Sequence, residues 1–327
     1  MVNGRLTLIT LLLALLLAAC GQDGQTIDAA DTAVPSATPM PPTATPQPPF
    51  RVIAYVTSAV VADVIPYDRL THINYAFLIP NDDGSFAPFG NGWKLKQIVS
   101  EAHEADVAVL IAVGGWGWDA QFEAMAADPA HRADFVQNLT AFVEEYGLDG
   151  IDIDWEYPDP GQSAENFLAL IQELRAAMPD KLLTTAVVSY GQTGEGIMSE
   201  TFELFDFVNI MTYDGPDHGT MEQFNAGLEY WQGRGLPAEK TVMGVPFYGR
   251  PTETLYRNIV AADPQAAYID SIEYNGDTIF YNGIPTIQQK TQIAMERAGG
   301  IMFWTLEHDT ADNLSLLNAI DSVVHPE

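Results

Sequence analysis

One segment of the chain runs Asp149-Gly150-Ile151-Asp152-Ile153-Asp154-Trp155-Glu156-Tyr157-Pro158, and in it acidic side chains alternate with large apolar ones. Residues two apart on a β-strand share a face, so the pattern predicts a strand with Asp152, Asp154 and Glu156 on one side. Ile151, Ile153 and Trp155 then face the other side. Asp149 has the wrong parity for the acidic row, and we assign it a structural role.

Two other interpretations of this segment explain it less well. A calcium-binding loop conflicts with the alternating Ile, Ile and Trp, and the spacing differs from that of an EF-hand. A solvated acidic edge leaves the large apolar partners unexplained.

Seven further apolar runs accompany this strand, and amphipathic stretches of helical period lie between many of them. Strand-then-helix repeats over about 275 residues predict an α/β fold, a (β/α)8 TIM barrel formed by residues 50–327. An open doubly wound sheet is the alternative, but no glycine-rich loop follows the first strand. The predicted strands are Val52–Val56, His72–Leu78, Val107–Val113, Gly150–Asp154, Leu182–Val188, Phe207–Met211, Thr241–Val245 and Gly300–Phe303. The predicted helices are Leu95–Ala105, Arg132–Tyr146, Ala164–Met178, Met221–Gly233, Ile287–Arg297 and Asn313–Val324.

In such a barrel the acidic face is the interior and Glu156 lies nearest the C-terminal mouth, where barrel active sites are found. Burial and like-charge repulsion both raise the pKa of carboxyl groups, so we expect shared protons and a protonated Glu156. A protonated carboxylic acid in a cleft is what protonation of a glycosidic oxygen requires.

The formal net charge of -30 argues against nucleic acid as a partner, because nucleic acid is a polyanion that the protein would repel. A neutral polysaccharide is compatible with this charge. The histidines do not cluster, and the chain has a single cysteine. We therefore expect neither a metal site nor a cofactor.

Residues 1–19 are interpreted as a lipoprotein signal peptide, since Arg5 precedes an apolar run that ends in Leu17-Ala18-Ala19-Cys20. This ending resembles the lipobox of bacterial lipoproteins, which implies an acylated Cys20. An ordinary signal peptide with an incidental cysteine is the alternative. Residues 20–49, rich in Pro, Thr and Ala, form a linker. The expectation is a monomer tethered to the outer or periplasmic face of a membrane by its lipid alone.

The pattern D-x-x-D-x-D-x-E, carried by Asp149, Asp152, Asp154 and Glu156, resembles the signature of glycoside hydrolase family 18, the chitinases and their relatives. The resemblance extends over roughly Arg51 to His308. It implies that Glu156 is the general acid and later the general base, while the substrate's own acetamido group attacks C1 with net retention. Asp154 would orient that group, and Asp152 would hold a shared proton.

Two more segments carry the resemblance. Met211-Thr212-Tyr213-Asp214 resembles the family's Met-x-Tyr-Asp segment, which implies that Tyr213 donates to the acetamido oxygen and that Asp214 lines the pocket. Gly299-Gly300-Ile301-Met302-Phe303-Trp304 resembles its last strand, which implies that Trp304 forms a subsite floor. Further substrate-binding candidates are Met211, Tyr55 (as a support of the buried acid), Phe77, Gly115, Trp116, Tyr157 and Arg250.

The sequence departs from the family pattern at two places. Ala112 stands where the family has a serine, so a hydroxyl that would bond near Asp152 is missing. The stretch between Arg250 and Trp304 is also too short for a large α+β insertion, which predicts an open cleft and endo cleavage.

The leading hypothesis is a retaining endo-acting chitinase that needs no cofactor. An endo-β-N-acetylglucosaminidase acting on glycoprotein or cell-wall glycans shares the same chemistry and remains open. A chitinase-like lectin without catalysis is the third alternative, although such proteins usually replace the acid that Glu156 represents.

Overall fold

The computed structural model describes residues 49–326 and contains a closed barrel of eight parallel strands. The predicted (β/α)8 TIM barrel is therefore confirmed. The strands follow one another around the barrel in chain order, and the last closes against the first. They are β1 (Arg51–Thr57), β2 (His72–Leu78), β3 (Ala108–Gly114), β4 (Gly150–Asp154), β5 (Leu182–Val188), β6 (Phe207–Met211), β7 (Thr241–Pro246) and β12 (Gly300–Trp304).

Two separate apolar layers hold the barrel. Ile151, Ile153 and Trp155 on β4 and just beyond it belong to the outer layer between strands and helices. Asp152 and Asp154 face inward, where they are 0% and 3% exposed. The inner apolar cluster contains Tyr55, Ala112, Met211, Tyr213 and Met302 among others. The acidic row therefore occupies the interior, as its alternation predicts.

Eight α-helices lie in the described part of the chain, but they do not alternate strictly with the strands. Short 3-10 turns alone connect β1 to β2 and β5 to β6, whereas two helices lie between β3 and β4. The expectation of one helix after each strand is corrected to this extent. The helices are α1 (Gly92–Glu104), α2 (Asp119–Ala127), α3 (Pro129–Tyr146), α4 (Gln162–Ala177), α5 (Met221–Gly233), α6 (Tyr256–Ala262), α7 (Ile284–Arg297) and α8 (Leu316–Val324).

The stretch between β7 and β12 holds no large insertion. It contains two short strand pairs and helices α6 and α7, and it returns directly to the barrel. The pairs are β8 (Tyr248–Gly249) with β9 (Thr254–Leu255), and β10 (Ser271–Tyr274) with β11 (Asp277–Phe280).

The predicted signal peptide, the acylated Cys20 and nearly all of the predicted linker lie outside the described residues, so those predictions stand as they were. Within residues 49–326, no helix has both the length and the hydropathy to cross a membrane.

Candidate active site

A cavity of about 540 Å³ opens at the carboxyl ends of the barrel strands. Eleven of the predicted site residues line it, namely Tyr55, Phe77, Trp116, Asp154, Glu156, Tyr157, Met211, Tyr213, Asp214, Arg250 and Trp304. Asp152 and Gly115 do not. Four lining residues were not among the predicted site residues: Ala186, Gly215, Tyr248 and Glu253. Tyr248 stands two residues before the predicted site residue Arg250.

Asp152 lies beneath the cavity and is held by three donors. The Tyr55 hydroxyl donates to its Oδ2 at 2.6 Å, in keeping with the predicted support role. Thr184 Oγ1 and Asn209 Nδ2 donate to its Oδ1 at 2.6 Å and 3.0 Å. Burial raises the pKa of the Asp152 carboxyl, and these three hydrogen bonds counteract the rise by stabilising the carboxylate.

The missing serine hydroxyl near Asp152 has a counterpart on the other neighbouring strand. In the barrel register, Asp152 is paired with Ala112 on β3 and with Thr184 on β5. Both neighbours are 0% exposed, and only Thr184 offers a hydroxyl. No sequence pattern marks Thr184 or Asn209 as a partner of Asp152, because a threonine or asparagine inside an apolar run indicates no contact until the strand order is known.

Asp154 is the buried acid without a complete set of partners. Its Oδ1 is buried and has no hydrogen-bond partner in the described protein. Burial above all, and then the charges of Glu156 and Asp152, raise the pKa of Asp154 well above its ordinary value. An unpaired buried oxygen is costly, so its retention beside a cavity is typical of a ligand-binding position.

Glu156 follows two residues after the end of β4, where the alternation of β4 continues and directs its side chain into the cavity. Burial raises the pKa of Glu156 to about 7, and the neighbouring Tyr157 side chain counteracts part of that rise. The negative charge of Asp214 raises it further. Burial is the larger cause, so the expected protonation depends more on desolvation than on crowded charges.

Tyr213 presents a hydroxyl that the protein leaves almost unused. It is 8% exposed and lines the cavity, and its only described partner is Met302 Sδ at 3.9 Å, a weak acceptor. Burial raises the pKa of Tyr213 well above its ordinary value, so the phenol keeps its proton and can donate it in a hydrogen bond.

Asp214 is fixed from several sides. Arg250 Nε and Nη2 both lie 2.7 Å from its Oδ1. The backbone N–H of Asp214 donates to His218 Nδ1 at 3.0 Å, and Gln223 Nε2 donates to its carbonyl at 2.9 Å. These bonds hold a residue whose φ of 61° is uncommon for a side chain other than glycine.

Buried polar residues brace the loop behind Asp214. Lys290 Nζ donates to Gly219 O at 2.6 Å and to Asn282 Oδ1 at 2.7 Å. Burial lowers the pKa of Lys290 to about 7. Burial also lowers the pKa of His218, which suits the neutral ring that the Asp214 N–H requires as its acceptor.

Aromatic rings form the floor and rim of the cavity. Trp304 stacks on Phe77 with ring centroids 5.4 Å apart, and Tyr55 lies 5.7 Å from Trp304. Gly115 supports this floor instead of lining the cavity, since a Cβ there would lie 2.7 Å from the Phe77 ring. Trp116 stands at the rim with 79% of its surface exposed.

Asp149, the residue before β4, does not line the cavity, and its position in the alternation is opposite to that of Asp152 and Asp154. Its Oδ2 accepts the Val109 N–H at 2.7 Å and contacts His103 Nε2 at 2.8 Å. Across residues 49–326, no three histidine, cysteine or acidic side chains converge in a way that could hold a metal ion.

Comparison with known proteins agrees with the geometry. The sequence profile of glycosyl hydrolases family 18 matches residues 51–309. The family 18 chitinase ChiB of Flavobacterium johnsoniae is 31% identical, with a TM-score of 0.74 over 84% of this chain and 94% of that structure. A chitinase of Bacteroides thetaiotaomicron is 27% identical, with a TM-score of 0.78 over 86% of this chain and 98% of that one.

Among curated sequences, a probable endochitinase of Caenorhabditis elegans is 32% identical over 222 residues, which are 55% of this chain and 36% of that protein. The match to Chitinase 1 of Aphanocladium album covers 56% of its length, so the matched regions span only part of these longer relatives. The family profile, in contrast, matches residues 51–309, which include all eight barrel strands. The chain belongs to glycosyl hydrolase family 18.

Proposed function

We propose that this protein is a chitinase-type glycoside hydrolase, which cleaves β-1,4-linked N-acetylglucosamine polymers with retention and with help from the substrate's acetamido group. One observation carries the proposal. Three groups share a single cavity: the Glu156 carboxyl group, whose pKa is about 7, the Asp154 Oδ1, which has no described partner, and the Tyr213 hydroxyl, whose only described partner is a weak acceptor. Glu156 can donate to the glycosidic oxygen of a bound sugar. Asp154 can accept from the N–H of its acetamido group, and Tyr213 can donate to the oxygen of that group.

The reaction follows from these positions. Glu156 gives its proton to the glycosidic oxygen while the acetamido oxygen attacks C1, so the C1–O bond to the leaving sugar breaks and an oxazolinium ring forms. Asp154 Oδ1 accepts the acetamido N–H, and the Tyr213 hydroxyl donates to the acetamido oxygen. This pair holds the nucleophile in a reactive geometry. The Glu156 carboxylate then takes a proton from water as that water attacks C1, and the C1–O bond of the oxazolinium ring breaks to restore the acetamido group.

The cleft supports endo cleavage as part of the proposal. The segment between β7 and β12 contains two short strand pairs and helices α6 and α7 but no large insertion, and lining residue Glu253 is exposed. A polymer can then enter sideways instead of being threaded from an end. Early hydrolysis of the N-acetylglucosamine hexamer is expected to yield a mixture of shorter oligomers. A product profile of dimers alone from the earliest time points argues for release from chain ends.

The substrate is tested by a direct comparison. The protein is incubated with N-acetylglucosamine hexamer and, separately, with a high-mannose glycopeptide, and the products are identified by mass spectrometry. Hydrolysis of the hexamer alone supports the chitinase. Release of the high-mannose glycan alone favours an endo-β-N-acetylglucosaminidase, and binding of hexamer without any hydrolysis favours a lectin.

We also propose that Cys20 is acylated and that the protein is a monomer displayed on a membrane by this anchor. The proposal is supported by the apolar run and the Leu-Ala-Ala-Cys ending. In cells that express the full chain, the protein is expected in the membrane fraction, and Cys20→Ala is expected to release it. Equal distribution of both forms contradicts the anchor.

A further inference from the structure

The rim of the cavity at Arg250 continues into the β10–β11 hairpin. Arg250 and Phe280 exchange both backbone hydrogen bonds, at 2.9 Å and 2.8 Å, as an antiparallel bridge. In such a pair the two directly opposite side chains lie on one face, with Cβ atoms about 5 Å apart. The Arg250 side chain lines the cavity. Phe280 therefore stands beside Arg250, on the face towards which the cavity opens.

Phe280 is exposed although its chain neighbours are buried. Its side chain is 55% exposed, whereas Ile279 and Tyr281 are 0% and 2% exposed. Successive residues of a strand point to opposite faces, so one face of the hairpin is anchored in the protein and the other is free. The buried neighbours Ile279 and Tyr281 fix the position of the strand, while the Phe280 ring itself remains exposed to solvent.

Polar side chains share the exposed face with this ring. Ser271 is paired with Phe280, and Glu273 is paired with Thr278 one pleat further along the same face. All three polar residues are exposed, and Thr278 donates a hydrogen bond to Glu273. An aromatic ring beside hydroxyl and carboxylate groups presents both an apolar surface and hydrogen-bonding partners for a carbohydrate.

We propose that Phe280 and the exposed face of the β10–β11 hairpin form an additional sugar-binding subsite, which takes a distal pyranose ring of the polymer bound in the cavity. The inference rests on the proposed function and extends it. The occupant is a further sugar of the same substrate because the face is joined to cavity-lining Arg250 by hydrogen bonds. The apolar C–H face of the pyranose packs on the Phe280 ring, and Thr278 and Glu273 meet its hydroxyl groups.

The experiment measures binding by calorimetry with the full chain carrying Glu156→Gln, which prevents turnover. Adding Phe280→Ala is expected to weaken binding of the N-acetylglucosamine hexamer about tenfold, the loss expected for one aromatic contact together with its buried area. The dissociation constant of the dimer, which has fewer sugars to fill both the cavity and the additional subsite, is expected to change less. Phe280→Tyr keeps the ring and is expected to preserve hexamer binding.

A matched control removes another exposed apolar side chain. Met295 on α7 is 39% exposed, and Met295→Ala is expected to leave binding of both oligomers unchanged. Unchanged hexamer binding in Phe280→Ala overturns the subsite and leaves the proposed function intact. If the Glu156→Gln protein binds no oligomer and the wild type hydrolyses none, both the proposed function and the additional subsite fail. A change in sedimentation with unchanged hexamer binding shows that a second copy covers this face, which also overturns the subsite.

Discussion

The hydroxyl of Thr184 donates a 2.6 Å hydrogen bond to Oδ1 of Asp152 across the β4–β5 strand pair. On the other side of Asp152, the β3 neighbour Ala112 has no polar atom in its side chain. Asp152 is 0% exposed, so no solvent replaces a lost donor. A side-chain hydroxyl therefore reaches Asp152 from β5 and not from β3.

Removing this hydroxyl is expected to impair catalysis by disturbing the acid beneath the cavity. Thr184→Val preserves the shape of the side chain and leaves Oδ1 with Asn209 as its only described donor. A hydrogen bond to a charged group contributes about 1.5 to 3 kcal/mol, so kcat/KM on N-acetylglucosamine oligomers is expected to fall about tenfold or more. Adding Ala112→Ser, which offers a hydroxyl from β3, is expected to restore part of the loss.

The matched control for this change is Thr185→Val. Thr185 is the next residue of β5 and is 1% exposed, but its hydroxyl donates to the Ile153 carbonyl at 2.7 Å and not to an acid. It is expected to lower the melting temperature without a comparable loss of kcat/KM. Equal activity losses in both variants, or no gain from Ala112→Ser, would contradict the role of Thr184.

Tyr213→Phe is expected to separate catalysis from stability. The hydroxyl contributes little to folding because Met302 Sδ is its only described partner. Loss of the donor that positions the acetamido oxygen is expected to lower kcat about 100-fold. Steady-state kinetics and thermal unfolding are measured on the same samples.

Tyr256→Phe provides the opposite control. The Tyr256 hydroxyl donates to the Leu314 carbonyl at 2.9 Å, and Tyr256 does not line the cavity. Its loss is expected to cost about 1 kcal/mol of the free energy of unfolding while kcat is preserved. A fully active Tyr213→Phe protein would remove Tyr213 from the mechanism.

The activity is expected to fall on the alkaline side of neutrality. Glu156 must carry a proton to act as an acid, and burial raises its pKa to about 7. The kcat/KM on the hexamer is therefore expected to fall about tenfold per pH unit above that value. The apparent pKa belongs to Glu156 and Asp154 together, because the two carboxyl groups titrate in each other's field. An alkaline limb centred near pH 4.5, the ordinary value for this side chain, contradicts the assignment.

The same raised pKa has a consequence for folding. The folded state binds the Glu156 proton more tightly than the unfolded chain does, so this contribution to stability is complete below pH 4.5 and is lost as the pH rises towards 7. Glu156→Gln removes the buried charge. It is expected to raise the free energy of unfolding by about 3 kcal/mol at pH 8, with little change at pH 4. Denaturant unfolding at both pH values tests this, and equal differences at the two would contradict it.

The barrel could be predicted from the sequence because its buried strands leave a strong pattern. The bounds predicted for β2, β4, β5 and β6 agree with the structure, and so do those of α5. Helix α2 was missed, since only Phe122, Met125 and Ala126 of its nine residues are buried and form too short a periodic pattern. The start of α8 moved to Leu316 because Ser315, not Asn313, caps it.

The site could be predicted only where its residues stand in recognisable segments. Glu156 and Tyr213 follow strand ends and Trp304 ends β12, all within such segments, and the structure brings all three into one cavity. Thr184 acts through a residue on another strand, so its contact depends on register that no local pattern reveals. The same holds for Phe280, whose place beside Arg250 depends on one strand bridge between residues thirty positions apart.

The central claim is that Glu156 protonates the leaving sugar while the substrate's acetamido group attacks. The most direct measurement follows the hydrolysis of N-acetylglucosamine hexamer by proton NMR, with the wild type beside Glu156→Gln. We predict that the wild type releases products first as β-anomers, and that Glu156→Gln binds the hexamer but hydrolyses it at least about 100-fold more slowly. Products released first as α-anomers, or undiminished hydrolysis by Glu156→Gln, would contradict the account.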